Sequence, residues 1–326
     1  MERNYYLDNY KAVLIVLVVT THFLGGMAGE AGLIKTYTIF TNLFYMPAFI
    51  AISGYFSKKN DALKLIKNIL IPYLFFQILN LLVDYFLLHQ DIRFSLLMPE
   101  FTLWYLLSLF FWRLIIECFM KLKYPLLFAV ILSLIIGADS NVGGLLSLSR
   151  TIYFFPFFVL GYQCNVDRIL KCRTKIVQIV ALGVMFATVI VIFFTCKGYS
   201  EFYFRGSTSY EGLGQSTITG ILFRMLCYLI ATLLTFCVAM WVPKRKNIFS
   251  VLGSRTMSIY MWHGLIYKIV RYGTPIYSVL MMWGLEGRLI LLFGVVILVA
   301  ILGSKPICQV TALISKIPVE RLIKTN

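Results

Sequence analysis

The chain has 326 residues, of which 60% are hydrophobic and 13% charged, and its mean hydropathy is +0.84. Soluble chains contain about 45–50% apolar and about 25% charged residues, so this composition excludes a soluble domain and predicts an integral membrane protein. The net charge of +16 does not indicate nucleic-acid binding, because Lys and Arg collect in the cytoplasmic loops of such proteins. The seven cysteines show neither metal-ligand nor disulfide spacing, and we expect no metal.

Apolar windows predict an all-α, polytopic protein of about ten transmembrane helices, which fits a chain with about 30 residues for each span and its loop. The predicted spans are 10–28, 38–57, 67–88, 101–120, 124–138, 150–164, 174–196, 217–241, 256–272 and 286–304. We expect residues 1–305 to form a single transmembrane domain and residues 306–326 a short cytoplasmic tail.

Along the chain, connections that are rich in Lys and Arg alternate with connections that contain few of these residues. The cation-rich connections contain Lys58, Lys59, Lys64 and Lys67; Lys121 and Lys123; Arg168, Lys171, Arg173 and Lys175; Lys244, Arg245 and Lys246; and Lys305, Lys316, Arg321 and Lys324. The intervening loops hold only Lys35, Arg93, Lys197 and Arg205. Because positive loops stay in the cytoplasm, this pattern predicts that both termini are cytoplasmic, in agreement with an even number of spans. We expect the protein to lie in the plasma membrane.

The first span carries three ionisable residues on one face. At about 100° per residue, His22 lies roughly 20° from Lys11 and roughly 40° from Asp8, with Ile15 between them. The rise from Lys11 to His22 is roughly 16 Å. Ionisable groups inside a membrane are costly and mark functional sites by default, although a histidine that merely bonds a neighbouring helix would also explain His22.

A second histidine, His263, lies on the ninth span, and Tyr260 and Tyr267 share its helical face. The first and ninth spans run in the same direction, so His22 and His263 either meet or lie at different depths. A buried histidine beside a reactive hydroxyl is a candidate general base. A structural hydrogen bond between helices is the competing interpretation of His263.

Four further residues are candidates for substrate contacts. Ser53 precedes a glycine near the end of the second span, where a backbone or an acyl chain can approach closely. Arg150, at the outer end of the sixth span, would bind an anionic group or stabilise an oxyanion. Trp104 lies at a similar depth and would stack on a sugar or belong to the interfacial aromatic belt, and Tyr153 follows Arg150 by three residues.

Several stretches, in order along the chain, resemble the membrane-bound acyltransferase 3 family and within it the fucose 4-O-acetylase-like branch. They are Leu7-Asp-Asn-Tyr-Lys11 through His22, Met46-Pro-Ala-Phe through Ser53-Gly54-Tyr-Phe, Leu103-Trp-Tyr-Leu, Ser149-Arg150 through Phe155-Pro156 to Gly161-Tyr162, and Ser258-Ile-Tyr260-Met-Trp-His263. The resemblance covers most of spans one to nine.

The resemblance implies an O-acyltransferase that moves an acyl group, usually acetyl, from cytoplasmic acyl-CoA to a sugar hydroxyl of an extracytoplasmic glycan or its lipid-linked precursor. His22 matches the family's essential histidine, the general base or acyl carrier. Asp8 and Lys11 match its entrance pair, although many relatives have Arg in place of Lys11. The predicted roles are catalytic for His22, Asp8, Arg150, Tyr260 and His263; acyl-CoA-binding for Lys11 and Ser53; and substrate-binding for Trp104 and Tyr153.

Two other functions compete with this prediction. Polar groups at several depths would also line the path of a small-molecule transporter. The sequence shows no inverted repeat and no matched pair of broken helices to support that function. A structural or assembly partner would tolerate replacement of the buried polar residues. The sequence does not fix the acceptor sugar or distinguish acetyl from another small acyl group.

Overall fold

The computed structural model describes residues 3–29, 32–58, 61–91, 94–142, 144–196, 198 and 200–316, and helix is the regular secondary structure found in them. The α-helices are α1 (Tyr5–Gly25), α2 (Leu33–Tyr55), α3 (Ala62–Leu65), α4 (Ile71–Leu82), α5 (Trp104–Phe119), α6 (Pro125–Ile136), α7 (Leu148–Gln163), α8 (Val166–Lys171), α9 (Lys175–Thr195), α10 (Thr217–Ala239), α11 (Ile248–Gly253), α12 (Thr256–Tyr272), α13 (Ile276–Met282), α14 (Gly284–Leu302) and α15 (Lys305–Ile314).

Several helices are long and apolar enough to cross a bilayer, as expected for a multi-pass membrane protein. In the described part of the chain six meet both criteria: Tyr5–Gly25, Ala62–Leu87, Leu145–Gln163, Lys175–Thr195, Thr217–Ala239 and Gly284–Leu302. A helix lies at each of the ten predicted positions, but α2, α5, α6 and α12 do not meet these criteria. The number ten and the cytoplasmic placement of both termini therefore stay predictions.

Helix α1 lies at the centre of the bundle. It packs against α2, α11, α12 and α14, and most of its length is buried. Helix α9 differs, because it is the most apolar of the six long helices and only Ala181 and Ile192 of its residues are buried. A helix that is apolar all round and exposed is suited to contact lipid, whereas the polar residues of α1 are shielded by neighbouring helices.

Helices α2 and α7 approach each other closely through two glycines. A Cβ atom added to Gly54 would lie 2.1 Å from the carbonyl oxygen of Phe158, and one added to Gly161 would lie 1.9 Å from that of Ala51. Only a residue without a side chain fits at either point, which is the usual basis of close packing between membrane helices. This contact fixes the position of Ser53, the residue before Gly54.

The segment between α9 and α10 folds back onto the start of α7. It contains a 3₁₀ turn over Glu201–Phe204. The Ser149 hydroxyl donates a hydrogen bond to the Gly206 carbonyl oxygen at 2.8 Å, and the Tyr210 amide donates one to the Gly137 carbonyl oxygen at 2.7 Å. These bonds hold the segment over one end of the bundle.

The connection before α5 is held by an ion cluster in which Lys268 and Asp84 are buried and Glu100 is partly exposed. The Lys268 ammonium on α12 lies 2.5 Å from a carboxylate oxygen of Asp84 and 2.9 Å from one of Glu100. Asp84 belongs to a π-helical turn, Val83–Leu87, that continues α4. Glu100 is followed by Phe101, whose positive φ of 37° is uncommon for a residue with a side chain. The ion cluster thus anchors a strained backbone segment.

Some predictions concern residues outside the described part of the chain. The predicted tail, 306–326, begins within α15, and its residues 317–326 lie outside the described residues. The same holds for five cations of the topology argument: Lys59, Arg93, Lys197, Arg321 and Lys324.

Candidate active site

A cavity of about 240 Å³ lies between α1, α2, α5, α7 and α12. Six of the nine predicted site residues line it: Lys11, His22, Ser53, Trp104, Arg150 and Tyr260. They come from five different helices, so only the folded bundle brings them together. Asp8, Tyr153 and His263 do not line the cavity.

One wall of the cavity is the predicted polar face of α1. Lys11, Ile15, Val18 and His22 all line the cavity at helical spacing. A cation therefore marks one end of this wall and an imidazole the other, with two apolar side chains between them. Their separation along the helix axis is roughly 16 Å, the rise of three turns.

Asp8 is buried beneath Lys11. Its carboxylate lies 2.9 Å from the Lys11 ammonium and 2.8 Å from the Arg3 guanidinium. Gly253 of α11 makes this burial feasible, because a Cβ at that position would lie 1.7 Å from the Asp8 carbonyl oxygen. Asp8 thus holds Lys11 in position and balances its charge, and it does not face the cavity.

His263 packs directly behind His22, with ring centroids 5.5 Å apart. Its Nδ1 atom lies 3.1 Å from the carbonyl oxygen of Ile259 and 2.8 Å from that of Tyr260. Because a carbonyl only accepts, Nδ1 carries the proton and Nε2 keeps its lone pair. Nε2 is buried and has no hydrogen-bond partner among the residues described. The pair therefore consists of one imidazole at the cavity and one basic nitrogen behind it.

Ser53 is bonded to a residue that the sequence did not single out, Tyr105. The Ser53 hydroxyl donates to the Phe49 carbonyl oxygen at 3.0 Å, and the two hydroxyl oxygens of Ser53 and Tyr105 lie 2.6 Å apart. Since the serine proton is engaged, Tyr105 is the donor within the pair. A nucleophilic serine needs an adjacent base, and none bonds Ser53 within the described residues. This arrangement fits a positioning role for Ser53.

Tyr260 closes the cavity beside Tyr105. Its hydroxyl donates to the backbone carbonyl of Thr102, and the rings of Tyr260 and Tyr105 lie 5.4 Å apart. With that proton engaged, Tyr260 would have to break its bond to Thr102 before it could donate to an oxyanion. Its observed contacts hold the connection before α5 against α12.

Arg150 lies over the face of Trp104, with 5.3 Å between the guanidinium carbon and the ring centroid. Trp104 in turn stacks on Phe154 of α7 at 5.3 Å. A guanidinium contacts an aromatic ring through its planar face. The N–H donors at the edge of the guanidinium therefore stay available for other partners. Arg150 is thus oriented by a ring and retains its donors for a ligand in the cavity.

Tyr153 lies away from the cavity. The guanidinium carbon of Arg224 is 4.9 Å from its ring, and its backbone carbonyl accepts a hydrogen bond from Tyr228 at 2.6 Å. A Cβ on Gly206 would collide with the same ring, at 2.4 Å. These contacts support the packing of α7 against α10, and the substrate contact of Tyr153 stays a prediction.

The cavity also includes residues that the sequence analysis missed. Arg205 and Phe204 reach it from the segment between α9 and α10, and Phe101 contacts His22 with ring centroids 5.0 Å apart. Asn42 and Tyr45 line it from α2 and are bonded to each other at 2.8 Å. Residues 196–215 are rich in aromatic side chains, but this composition does not indicate Arg205 itself.

Several helices are long and apolar enough to cross a bilayer, and the bundle contains a cavity lined by Lys11, His22 and Arg150. These features are those of a multi-pass membrane protein with an internal polar site. The acyltransferase 3 family model, described as an acyltransferase domain, matches residues 4–305, and the chain belongs to this family. It is therefore a membrane acyltransferase. No curated protein and no solved structure matches the chain.

Proposed function

We propose that the protein transfers an acetyl group from cytoplasmic acetyl-CoA to a sugar hydroxyl of a surface glycan or its lipid-linked precursor outside the plasma membrane. The observation that carries this proposal is the α1 wall, where Lys11 and His22 line opposite ends of one cavity. A donor that enters at the Lys11 end and an acceptor that enters at the other end would meet inside this cavity. The resemblance to the fucose 4-O-acetylase-like branch supports a sugar as the acceptor.

The donor would enter at the Lys11 end. Coenzyme A is polyanionic, and Lys11 is a cation held in place by Asp8 at the edge of the cavity. The narrow pantetheine arm would pass Ile15 and Val18, which offer an apolar surface. This path, roughly 16 Å along α1, would place the thioester carbonyl beside His22.

His22 would act as the general base of the transfer. It takes the proton of the sugar hydroxyl while that oxygen attacks the thioester carbonyl carbon. The tetrahedral intermediate then expels the CoA thiolate, which recovers the proton from the imidazolium, so no net proton is consumed. In the alternative route the acetyl group passes first to a His22 nitrogen and then to the sugar. A burst of CoA release without acceptor would identify that second route.

His263 would assist as a positioning residue. Its ring packs against that of His22, and its buried Nε2 atom has no hydrogen-bond partner in the described structure. A lone pair beside the imidazolium that forms during transfer stabilises that charge in a medium of low dielectric. Arg150, whose N–H donors are free, is the stronger candidate for the tetrahedral oxyanion.

The sugar would be held at the other end of the cavity. Trp104, Phe204 and Tyr45 all contribute aromatic rings to the lining of the cavity. Apolar ring faces with polar atoms close by suit a sugar, which carries both C–H faces and hydroxyls. Asn42 supplies an amide at the same site.

The test is mass spectrometry of surface glycans from cells that express the wild type, the His22→Ala variant or no protein. We expect the wild type alone to add one acetyl mass to a glycan unit. The matched control is His89→Ala, because His89 is exposed and does not line the cavity. An acetylated glycan in cells whose His22→Ala variant is present at wild-type level would contradict the mechanism. An identical glycan with and without the protein would contradict the proposed function.

A further inference from the structure

Two arginines from different segments flank the acceptor end of the cavity. Arg150 is in the first turn of α7, and Arg205 directly follows the 3₁₀ turn Glu201–Phe204. Both line the cavity. The Ser149 hydroxyl donates a hydrogen bond to the Gly206 carbonyl oxygen at 2.8 Å, and this bond between their immediate neighbours keeps the two arginines in adjacent segments.

The negative charge at this end does not balance the two cations. Arg205 pairs with Glu201, with 2.7 Å between a guanidinium nitrogen and a carboxylate oxygen. Arg150 has no carboxylate partner in the described chain, and Trp104 is its cation–π neighbour. One guanidinium charge, that of the half-buried Arg150, is therefore uncompensated by a carboxylate at this site. Arg205 also keeps most of its N–H donors, because a single one is engaged by Glu201.

A partly buried cation without a counter-ion is costly in a membrane protein, and such residues mark ligand or ion sites. The tetrahedral oxyanion exists only during the transfer step, so it does not explain two arginines that are charged in the resting site. The five N–H donors of Arg150 suffice to bind a permanent anion and to contact the oxyanion as well. A ligand with a permanent negative charge would balance the site in the bound state. The planar guanidinium matches carboxylate and phosphate oxygens in a bidentate manner.

We infer that the acceptor sugar carries a carboxylate or phosphate group, and that Arg150 and Arg205 bind this group while His22 deprotonates a hydroxyl of the same unit. The inference rests on the proposed function. The donor phosphates are assigned to the opposite end, at Lys11, whereas Arg205 belongs to the segment that covers the other end of the bundle. The anion therefore belongs to the substrate that enters there.

The first test reads the chemistry of the modified glycan. We expect the unit that gains an acetyl group to contain a uronic acid or a phosphodiester. An acetylated unit without either group would overturn the inference and leave the proposed function intact. A neutral unit that gains a dicarboxylic acyl group would also overturn it, because the anion would then belong to the donor.

The second test uses two sugars that differ only in the carboxylate, methyl glucuronoside and methyl glucoside. Each competes with acetyl transfer to the cell's own glycan in membranes that contain the protein. We expect the glucuronoside to inhibit at a concentration at least about tenfold lower, as one charge-assisted contact implies. Equal inhibition by both sugars, or inhibition by neither, would overturn the inference.

The third test assigns that preference to Arg205. We expect Arg205→Gln to abolish the difference between the two sugars and Arg205→Lys to retain part of it, while half-saturation by acetyl-CoA stays within about twofold of wild type. Arg288→Gln is the matched control, since Arg288 is exposed on α14. Loss of acetyl-CoA binding with an unchanged sugar preference would overturn the assignment.

Discussion

The imidazoles of His22 on α1 and His263 on α12 pack with their ring centroids 5.5 Å apart, yet only His22 lines the cavity. The His263 ring is wholly buried, and its Nδ1 atom is committed to two backbone carbonyls. Under the proposed function, His22 would contact the substrates and His263 would set the environment of the His22 ring.

Replacing His263 by asparagine separates these two contributions. Asparagine keeps an N–H donor for the backbone carbonyls but lacks the Nε2 lone pair. We expect kcat for acetyl transfer to fall by about 10²-fold, the lower range for the loss of a group that assists proton transfer. The measurement is CoA release at saturating acetyl-CoA. A wild-type kcat in a variant that elutes normally from a sizing column would assign His263 to packing alone.

Replacing Lys11 by methionine tests the donor end of the cavity. The half-saturating concentration of acetyl-CoA should rise at least about tenfold with little change in kcat, because a uniform binding contact to a phosphate is lost. Asp8 stays paired with Arg3, so the fold should survive. Lys11→Arg should keep most of the affinity. A fall in kcat at constant half-saturation would instead place Lys11 in the chemical step, and exposed Lys175→Met is the control.

The α1 wall was predictable because helical periodicity alone places Lys11, Ile15 and His22 on one side. Whether His22 and His263 meet was not predictable, since sequence gives no relative depth for two parallel helices. The structure resolves that question by their ring contact. Asp8 shares the periodicity but is buried by the approach of Gly253, a contact between distant segments.

The other cavity walls depend on long-range packing. Arg205 belongs to an irregular segment without periodicity, and it reaches the cavity because Gly206 bonds to Ser149. Tyr105 was overlooked beside Trp104, although both face the cavity. The number of spans was hard to predict for a different reason. Helix α6 has only 12 residues, and its length alone does not distinguish a short span from a helix buried among others.

The close contact between α2 and α7 predicts strong effects of very small substitutions. Gly54→Ala and Gly161→Ala would each place a methyl group within about 2 Å of a backbone oxygen, and neither backbone can yield without separating the helices. We expect each to cost about 1–3 kcal/mol and lower the thermal midpoint in detergent. Gly183→Ala on α9 is the matched control, because nothing lies within 4 Å of its added Cβ. Equal midpoints for all three variants would refute the tight contact.

The ion cluster of Lys268, Asp84 and Glu100 predicts coupled losses of stability and activity. Lys268→Met leaves the carboxylate of Asp84, which is 2% exposed, without its cation. Breaking a buried pair costs about 3–5 kcal/mol. Acetyl transfer should fall as well, because Glu100 precedes two residues of the cavity, Phe101 and Thr102.

The measurements for Lys268→Met are the fraction of folded protein after graded heating and CoA release below the onset of melting. Adding Asp84→Asn should restore part of the stability, since the second change removes the unpaired charge. Lys64→Met is the control, because the Lys64 side chain is 76% exposed and its ion pair lies at the surface. If Lys268→Met and Lys64→Met melt together, the ion cluster does not hold the connection before α5. Other contacts must then position Phe101 and Thr102, among them the Tyr260 bond to Thr102 and the bond from the Glu100 amide to Gln77.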